Sequence, residues 1–228
     1  MICLCIGRKE QGKTTLGYHL AHSFPTRVIF DPREHFFTSP VEIESGAGLY
    51  ELLDEKAEII VKPPDHYPEH FEIVCDQLRN WIRDNHDEEF SFLIDEAYDI
   101  KTPEYMPASL DWLMRKTKRK QTRIIFTAHR PVDISTDIRA LSDNWFIFQS
   151  TQEHDLRIIA ERCGREVAEQ VTALKPREFI NWDDSIGKWT KFSDSNAWYM
   201  RLTRKDTEND NGQSTDSGTN SPTAASNA

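Results

Sequence analysis

Near its amino terminus the chain carries a glycine-rich sequence that constrains both the local backbone and the ligand. Residues 7–14 read Gly-Arg-Lys-Glu-Gln-Gly-Lys-Thr, which matches the pattern G-x-x-x-x-G-K-[ST] at every fixed position. The apolar residues 1–6 precede this loop, and residues 15–23 can form a helix. In the order strand, loop, helix, backbone N–H groups of the loop point at one spot beside the positive end of the helix. The sequence therefore predicts a phosphate-binding loop.

The pattern also assigns roles to individual residues of the loop. Lys13 is expected to reach the β- and γ-phosphates of a nucleotide, and the Thr14 hydroxyl is expected to bind Mg²⁺. The other expected nucleotide contacts are Gly7, Arg8, Lys9, Glu10, Gln11, Gly12 and Thr15.

A pair of carboxylates follows a second apolar strand. Asp95 and Glu96 come directly after residues 90–94, and ligands of open α/β sheets bind at the carboxyl ends of the strands. Asp95 is expected to hold Mg²⁺ through water, and Glu96 to orient and deprotonate the attacking water. A kinase that phosphorylates a hydroxyl has no use for such a glutamate. The two motifs together predict hydrolysis of ATP, with Mg²⁺ as cofactor.

Strand and helix patterns alternate along the chain. Apolar runs typical of strands occupy residues 27–31, 58–62, 90–95, 124–128, 145–149, 178–182 and 197–202. Helical spacing of apolar residues covers 68–85 and recurs around Leu110, Leu156 and Val167. Such alternation is typical of a mostly parallel sheet flanked by helices. The predicted fold class is α/β, a three-layer P-loop NTPase of the RecA/ASCE-like type.

Length and composition predict one folded domain with a tail. The chain has 228 residues, of which 38% are hydrophobic, and we expect an ATPase domain over residues 1–205. Residues 206–228 are rich in Ser, Thr, Asn and Asp and are expected to form a disordered acidic tail. No apolar stretch approaches the ~20 residues of a membrane span, and no signal peptide is recognisable. We therefore expect an intracellular protein without a membrane span.

Residues 66–70 match a zinc-protease pattern, H-x-x-E-H. That chemistry requires both histidines on one continuous helix. Pro68 lies between them and is best tolerated at the start of a helix, which would leave His66 outside it. We therefore expect no zinc site here.

The strand at residues 124–128 is expected to lie beside the Asp95 strand, and it ends in a polar sequence. Thr127-Ala128-His129-Arg130-Pro131 follows its apolar part. Many motor ATPases place a polar side chain here, where it senses the γ-phosphate. His129 or Thr127 could serve as this sensor.

The order of these motifs resembles the FtsK–HerA superfamily of DNA-pumping ATPases. The strand ending in His129-Arg130-Pro131 is the discriminating feature, and the similarity covers about residues 1–183. The family usually has glutamine where this chain has His129. The other matching segments are the phosphate-binding loop and residues 28–32, 93–97, 132–139 and 174–182.

Within the superfamily, the chain is similar to the compact genome-packaging ATPases of tailless, membrane-containing viruses such as tectiviruses. This resemblance implies a homo-oligomeric ring that pumps double-stranded DNA into a procapsid. It implies portal or capsid vertex proteins as partners, and a location in the host cytoplasm and the virion. Two alternatives stay open: a zonula occludens toxin-like assembly ATPase of filamentous phages, and a P-loop small-molecule kinase.

A dense group of cations lies just before the sensor strand. Although the chain has a net charge of −10, six of the nine residues 115–123 are Lys or Arg. The resemblance implies that an arginine of this region reaches the γ-phosphate bound by the neighbouring subunit. Arg119 fits best and Arg115 second. The other cations would face DNA in the channel of a ring, where local charge outweighs net charge.

Overall fold

The structure is a computed structural model that describes residues 1–35, 41–55, 58–64, 68–98, 106–116 and 121–193. The strand predicted at 197–202 and the tail predicted at 206–228 lie outside the described residues.

The strands of the described residues form one sheet. They are β1 (Ile2–Ile6), β2 (Thr26–Phe30), β3 (Glu42–Ile43), β4 (Glu58–Val61), β5 (Phe90–Ile94), β6 (Thr122–Ala128), β7 (Asn144–Ile147), β8 (Phe179–Asp183) and β9 (Lys188–Phe192). Their order across the sheet is β3-β4-β2-β5-β6-β1-β7-β8-β9. Strands β1 to β7 pair in parallel, whereas β8 and β9 form an antiparallel edge. The mostly parallel sheet predicted from the alternation of strands and helices is thereby confirmed.

Helices cover both faces of this sheet. They are α1 (Lys13–Ala21), α2 (Leu49–Leu53), α3 (Pro68–Asp84), α4 (Ala108–Lys116), α5 (Thr136–Leu141), α6 (Glu153–Cys163) and α7 (Arg165–Thr172). Helix α1 packs on one face, where Leu16 and Leu20 contact the cluster that contains Cys3 and Cys5 of β1. The remaining helices pack on the other face, together with Ile2 and other apolar residues of the strands. Because successive residues of β1 enter opposite clusters, the central strands are apolar without interruption.

The strand order places the candidate site. Strand β6 pairs with β1 on one side and with β5 on the other, as expected for the strand beside Asp95. Since these three strands are parallel, their carboxyl ends lie at one edge of the sheet. The phosphate-binding loop, the carboxylate pair and the predicted sensor all follow strands that end there.

Four elements were not predicted from the sequence: β3, β9, α2 and α5. Strand β3 has two residues, and β9 is largely exposed, so neither carries a clear apolar pattern. Helices α2 and α5 have five and six residues, fewer than two helical turns. None of the described helices is long and apolar enough to cross a bilayer.

Candidate functional site

The phosphate-binding loop connects β1 to α1 and depends on glycine at both ends. Gly7 has φ of 142°, and a Cβ added there would lie 2.6 Å from Cβ of Phe148. Gly12 has φ of 103° and caps α1, and its carbonyl accepts a hydrogen bond of 2.9 Å from Leu16 N. The helix therefore begins at Lys13, two residues before the predicted start.

Lys13 lies across the loop and is 5% exposed. Its Nζ donates a hydrogen bond of 2.9 Å to Arg8 O and lies 3.3 Å from Nδ1 of His129. Burial lowers the pKa of Lys13, and the neighbouring charges of Glu96 and Asp95 oppose that shift. The ammonium group is thus held in the loop by contacts that an incoming phosphate can replace.

The predicted Mg²⁺ ligands lie next to each other. Asp95 is fully buried, and its Oδ1 accepts hydrogen bonds from Thr14 Oγ1 at 3.0 Å and from Thr127 Oγ1 at 2.6 Å. A hydroxyl and a carboxylate are oxygen ligands of the kind that Mg²⁺ prefers, directly or through water. The donor set therefore fits the cofactor expected from the sequence.

Asp31 and His35 add two further potential ligands that were not predicted. His35 Nδ1 lies 2.9 Å from Asp95 Oδ2, and His35 N donates to Asp31 Oδ1 at 3.1 Å. One ligand atom from each of these three residues lies within 4.8 Å of the others. Asp31 is buried at the end of β2, its Oδ2 has no hydrogen-bond partner, and burial raises its pKa. The sequence signal for Asp31 was its place at the end of a strand neighbouring β5.

Glu96 occupies an uncommon backbone conformation. Its φ is 50°, a left-handed value that non-glycine residues seldom adopt. The backbone is fixed by a hydrogen bond of 3.0 Å from Glu96 N to Thr127 Oγ1, and the residue is 5% exposed. Local strain of this kind persists only where the surrounding structure enforces it, and it is concentrated at functional sites.

His129 joins Lys13 to Glu96. Its Nδ1 faces the Lys13 ammonium, and its Nε2 lies 3.3 Å from Glu96 Oε1. Since an ammonium group only donates, Nδ1 accepts, and the ring proton belongs on Nε2, where it points to the carboxylate. Burial and the positive charges of Lys13 and Lys9 lower the pKa of His129, so that the imidazole is neutral at pH 7. The other predicted sensor, Thr127, is buried and binds Asp95 and Glu96 N.

The residue after His129 holds the end of β6 against α6. Arg130 donates through Nε and Nη2 to the buried carboxylate of Asp155, at 3.1 to 3.3 Å. This bidentate contact fixes the backbone next to His129. No pattern in the sequence connects the two residues, because they are 25 positions apart, with α5 and β7 between them.

A pocket of about 560 Å³ opens in front of these groups. Of the predicted nucleotide contacts, it is lined by Lys9, Glu10, Gly12, Lys13, Thr14 and Thr15, together with Glu96 and His129. Gly7, Arg8 and Gln11 do not line it. Four lining residues were not predicted as site residues: Arg33, His35, Tyr98 and Arg177. Arg33 and Tyr98 form one wall, since Arg33 Nη2 donates to the Tyr98 hydroxyl at 2.6 Å.

Of the two predicted arginine fingers, Arg115 does not line this pocket in its own subunit. Arg115 is exposed at the end of α4, and its Nε donates to Asp111 Oδ1 at 2.6 Å. Arg119 lies outside the described residues, as do Lys118 and Lys120. In the zinc-protease pattern, His70 lies in α3 and His66 also lies outside the described residues.

No protein-family model matches the chain, and no curated protein matches its sequence. Solved structures do match. The genome-packaging NTPase B204 of Sulfolobus turreted icosahedral virus 2, in complex with ATP-gammaS, superposes with a TM-score of 0.71 and 20% identity over 85% of this chain and 96% of that one.

Two further structures are similar. For B204, the DNA-packaging ATPase of Sulfolobus turreted icosahedral virus, the TM-score is 0.68, with 18% identity over 85% of this chain and 97% of that one. For VirB4 of Thermoanaerobacter pseudethanolicus, the TM-score is 0.62, with 9% identity over 83% of this chain and 88% of that one. The P-loop NTPase fold is thereby confirmed, and so is the resemblance inferred from the motifs, at the level of the fold.

The position of His129 predicts a pH dependence. Because its pKa is lower in the folded than in the unfolded chain, the unfolded chain takes up the proton more readily as pH falls below about 6.5. The neutral histidine thus stabilises the fold above that pH, and this contribution is lost toward pH 5. Glutamine does not titrate. The unfolding free energy of the wild type minus that of His129→Gln should therefore decrease from pH 7.5 to pH 5.

Urea denaturation at a series of pH values measures this difference. His154→Gln, at an exposed position of α6, serves as the matched control, since it makes the same substitution away from the candidate site. A difference for His129→Gln that stays constant with pH would contradict the neutral, bridging histidine.

Proposed function

We propose that this protein hydrolyses ATP and uses the energy to move double-stranded DNA, as the packaging motor of a virus. The observation that carries the proposal is the convergence of Lys13, Thr14, Glu96 and His129 on one pocket, with the buried Asp95 bonded to Thr14. The fold, which is shared with the packaging NTPase B204, supports the assignment to DNA packaging.

The proposed hydrolysis begins with exchange of the contacts of Lys13. The phosphates of ATP replace Arg8 O and His129 as partners of the ammonium group, which neutralises charge on the β- and γ-phosphates. Mg²⁺ held near Thr14 and Asp95 supplies further positive charge at the phosphates when it is bound. Nucleotide binding thus removes one of the two contacts that orient the imidazole of His129.

Glu96 is the proposed general base. Its carboxylate accepts a proton from water while the water oxygen bonds to the γ-phosphorus, the bond to the β-phosphate oxygen breaks, and ADP leaves. His129 holds the carboxylate through Nε2, so a change at Lys13 is transmitted to the base through one side chain. This arrangement supports hydrolysis over transfer to an alcohol, because a small-molecule kinase gains nothing from a glutamate that activates water.

Two variants separate binding from hydrolysis. Lys13→Ala should abolish ATP binding, since it removes the charge that offsets the phosphates. Glu96→Gln should bind ATP with nearly the wild-type Kd, because it keeps the shape of the side chain. Its rate of phosphate release should fall by a factor of about 100 or more, because the base is lost. Equilibrium binding of a fluorescent ATP analogue and a phosphate-release assay measure the two properties.

Glu161→Gln is the matched control, because it makes the same change at an exposed position of α6. It should leave both binding and hydrolysis unchanged. Hydrolysis at the wild-type rate by Glu96→Gln would show that another group activates water.

We further propose that the active enzyme is a ring in which one subunit completes the site of the next. Arg115 supports this arrangement, because its side chain is exposed away from the pocket of its own subunit. Arg119 remains the first candidate for the same role on the basis of the sequence. Portal or capsid vertex proteins are the proposed partners of the ring at the packaging vertex of the virion.

Mixing of two inactive variants tests this arrangement. A subunit with Arg119→Ala keeps its phosphate-binding loop, and a subunit with Lys13→Ala keeps its arginine. An Arg119→Ala subunit that binds ATP beside a Lys13→Ala subunit has a complete site, because its neighbour supplies the arginine. The mixture should therefore regain ATPase activity that neither variant has alone. An arginine finger contributes 10³–10⁵-fold in other P-loop enzymes, so the recovered rate should be readily measurable.

The same mixture made with Arg115→Ala decides between the two arginines. As a control, each arginine variant is mixed with a double variant that lacks both the same arginine and Lys13, because this pair cannot form a complete site. Absence of recovery for both arginines would contradict a finger supplied by the neighbouring subunit.

The interaction with DNA is tested by replacing Lys116, Lys118 and Lys120 with Ala. Motors that grip the DNA backbone bind without sequence preference, and log Kd changes with log salt by roughly 0.9 per phosphate contacted. The triple variant should show a smaller salt dependence and weaker stimulation of ATPase activity by duplex DNA, with unchanged ATP binding. Salt dependence equal to that of the wild type would place the DNA contacts elsewhere.

Packaging itself is tested with Glu96→Gln during viral infection or in a packaging extract. Accumulation of empty procapsids is expected, because the motor binds ATP without turning it over. Normally filled particles would contradict the packaging assignment. A block in the extrusion of filaments, without procapsids, would favour the filamentous-phage alternative.

A further inference from the structure

Arg177 adopts a backbone conformation that favours glycine. Its φ is 68°, in the turn between α7 and β8. A Cβ in the left-handed region is sterically unfavourable, so glycine would fit this backbone at lower cost. The other described non-glycine residues with positive φ are Glu10, Glu34 and Glu96. Since Arg177, Glu10 and Glu96 all line the same pocket, the strained positions are concentrated at the candidate site.

Hydrogen bonds hold this turn against the phosphate-binding loop. Arg177 N donates to Gln11 O at 3.2 Å. Behind it, Lys175 N donates to Glu178 Oε2 at 2.9 Å, and the same oxygen lies 3.2 Å from Lys191 Nζ on β9. These contacts lower the pKa of Glu178, and the hydrogen bond from Lys175 N has the largest effect. The carboxylate therefore stays charged and keeps the turn bound to the β8–β9 edge.

Arg177 is exposed, and it lines the pocket. Within the described part of the chain, its guanidinium forms no hydrogen bond or ion pair, whereas its backbone is bonded to Gln11. The strained backbone therefore presents an unpaired cation at the wall of the pocket that Lys9, Glu10 and Thr15 also line.

The strand order shows which half of a nucleotide this cation would meet. Glu96 follows β5 and His129 follows β6, and both strands lie on one side of β1. Arg177 precedes β8, which lies on the opposite side of β1 beyond β7. A nucleotide whose γ-phosphate faces Glu96 and His129 across the loop therefore directs its nucleoside half toward the Arg177 side.

We propose that Arg177 binds the nucleoside half of the nucleotide, with its guanidinium stacked on the purine base. The inference rests on the proposed nucleotide binding at this pocket. A planar guanidinium stacks on an aromatic ring and tolerates partial exposure, which suits the open side of a pocket. Arginine at this backbone position then costs some folding stability and gains a contact with the bound nucleotide that glycine could not make.

Arg177→Gly tests the proposal, because glycine relieves the strained backbone and removes the guanidinium. Binding of a fluorescent ATP analogue is measured in competition with ATP and with tripolyphosphate, each with Mg²⁺. The Kd for ATP should rise about fivefold to tenfold, while that for tripolyphosphate should not change. Tm should stay equal or rise, whereas a structural role for Arg177 predicts a lower Tm.

Two further variants act as controls. Lys175→Ala removes a cation from the same turn that does not line the pocket, and it should leave both Kd values unchanged. Lys13→Ala should weaken binding of both ligands, which separates the phosphate contacts from the base contact.

The outcomes distinguish this inference from the proposed function. If the wild type binds neither ligand, nucleotide binding itself is contradicted. If the wild type binds ATP and Lys13→Ala does not, yet Arg177→Gly binds ATP as the wild type does, only the role of Arg177 is overturned. Equal weakening of ATP and tripolyphosphate by Arg177→Gly would also overturn it, since that result assigns Arg177 to the phosphates.

Discussion

The candidate site depends on one carboxylate oxygen, Oδ1 of Asp95. It accepts a hydrogen bond from Thr14, the last residue of the phosphate-binding loop, and another from Thr127, in β6. Three separate elements are thereby joined at one buried atom. Thr127 also accepts the backbone N–H of Glu96, which fixes the left-handed conformation of that residue. The position of Glu96, the proposed general base, therefore depends on the same polar contacts that join α1, β6 and the end of β5.

Charge balance explains how these groups tolerate burial. Lys13, Asp95 and Glu96 are each at most 5% exposed, and an isolated charge in such a place is costly. Lys13 lies near both carboxylates, and the contact through His129 adds a dipole between opposite charges. Asp31 lacks comparable compensation, because its Oδ2 has no hydrogen-bond partner. Burial, together with the neighbouring charge of Asp95, raises the pKa of Asp31, and a nearby cation would lower it again.

The sequence predicted the groups that come from contiguous motifs and the strands that are fully buried. The loop, Asp95, Glu96 and His129 all directly follow an apolar strand, so their meeting at one sheet edge follows from parallel pairing. Arg33, Tyr98 and Arg177 were missed because their places depend on where irregular segments return to the loop. Strand β9 was missed because an exposed edge strand needs few apolar residues. The partnership of Arg130 with Asp155 required knowledge of helix packing.

His129 gives the contact between Lys13 and Glu96 the same polarity that a glutamine would give it. A glutamine amide accepts through its oxygen and donates through its nitrogen, and a neutral imidazole protonated on Nε2 does the same through its two nitrogens. Compared with a glutamine, the histidine adds only a side chain that can take up a proton. A second proton on Nδ1 would face the Lys13 ammonium at 3.3 Å, so like charges would meet at the loop. The lowered pKa of His129 keeps the ring neutral under ordinary conditions, and this is what makes histidine equivalent to glutamine here.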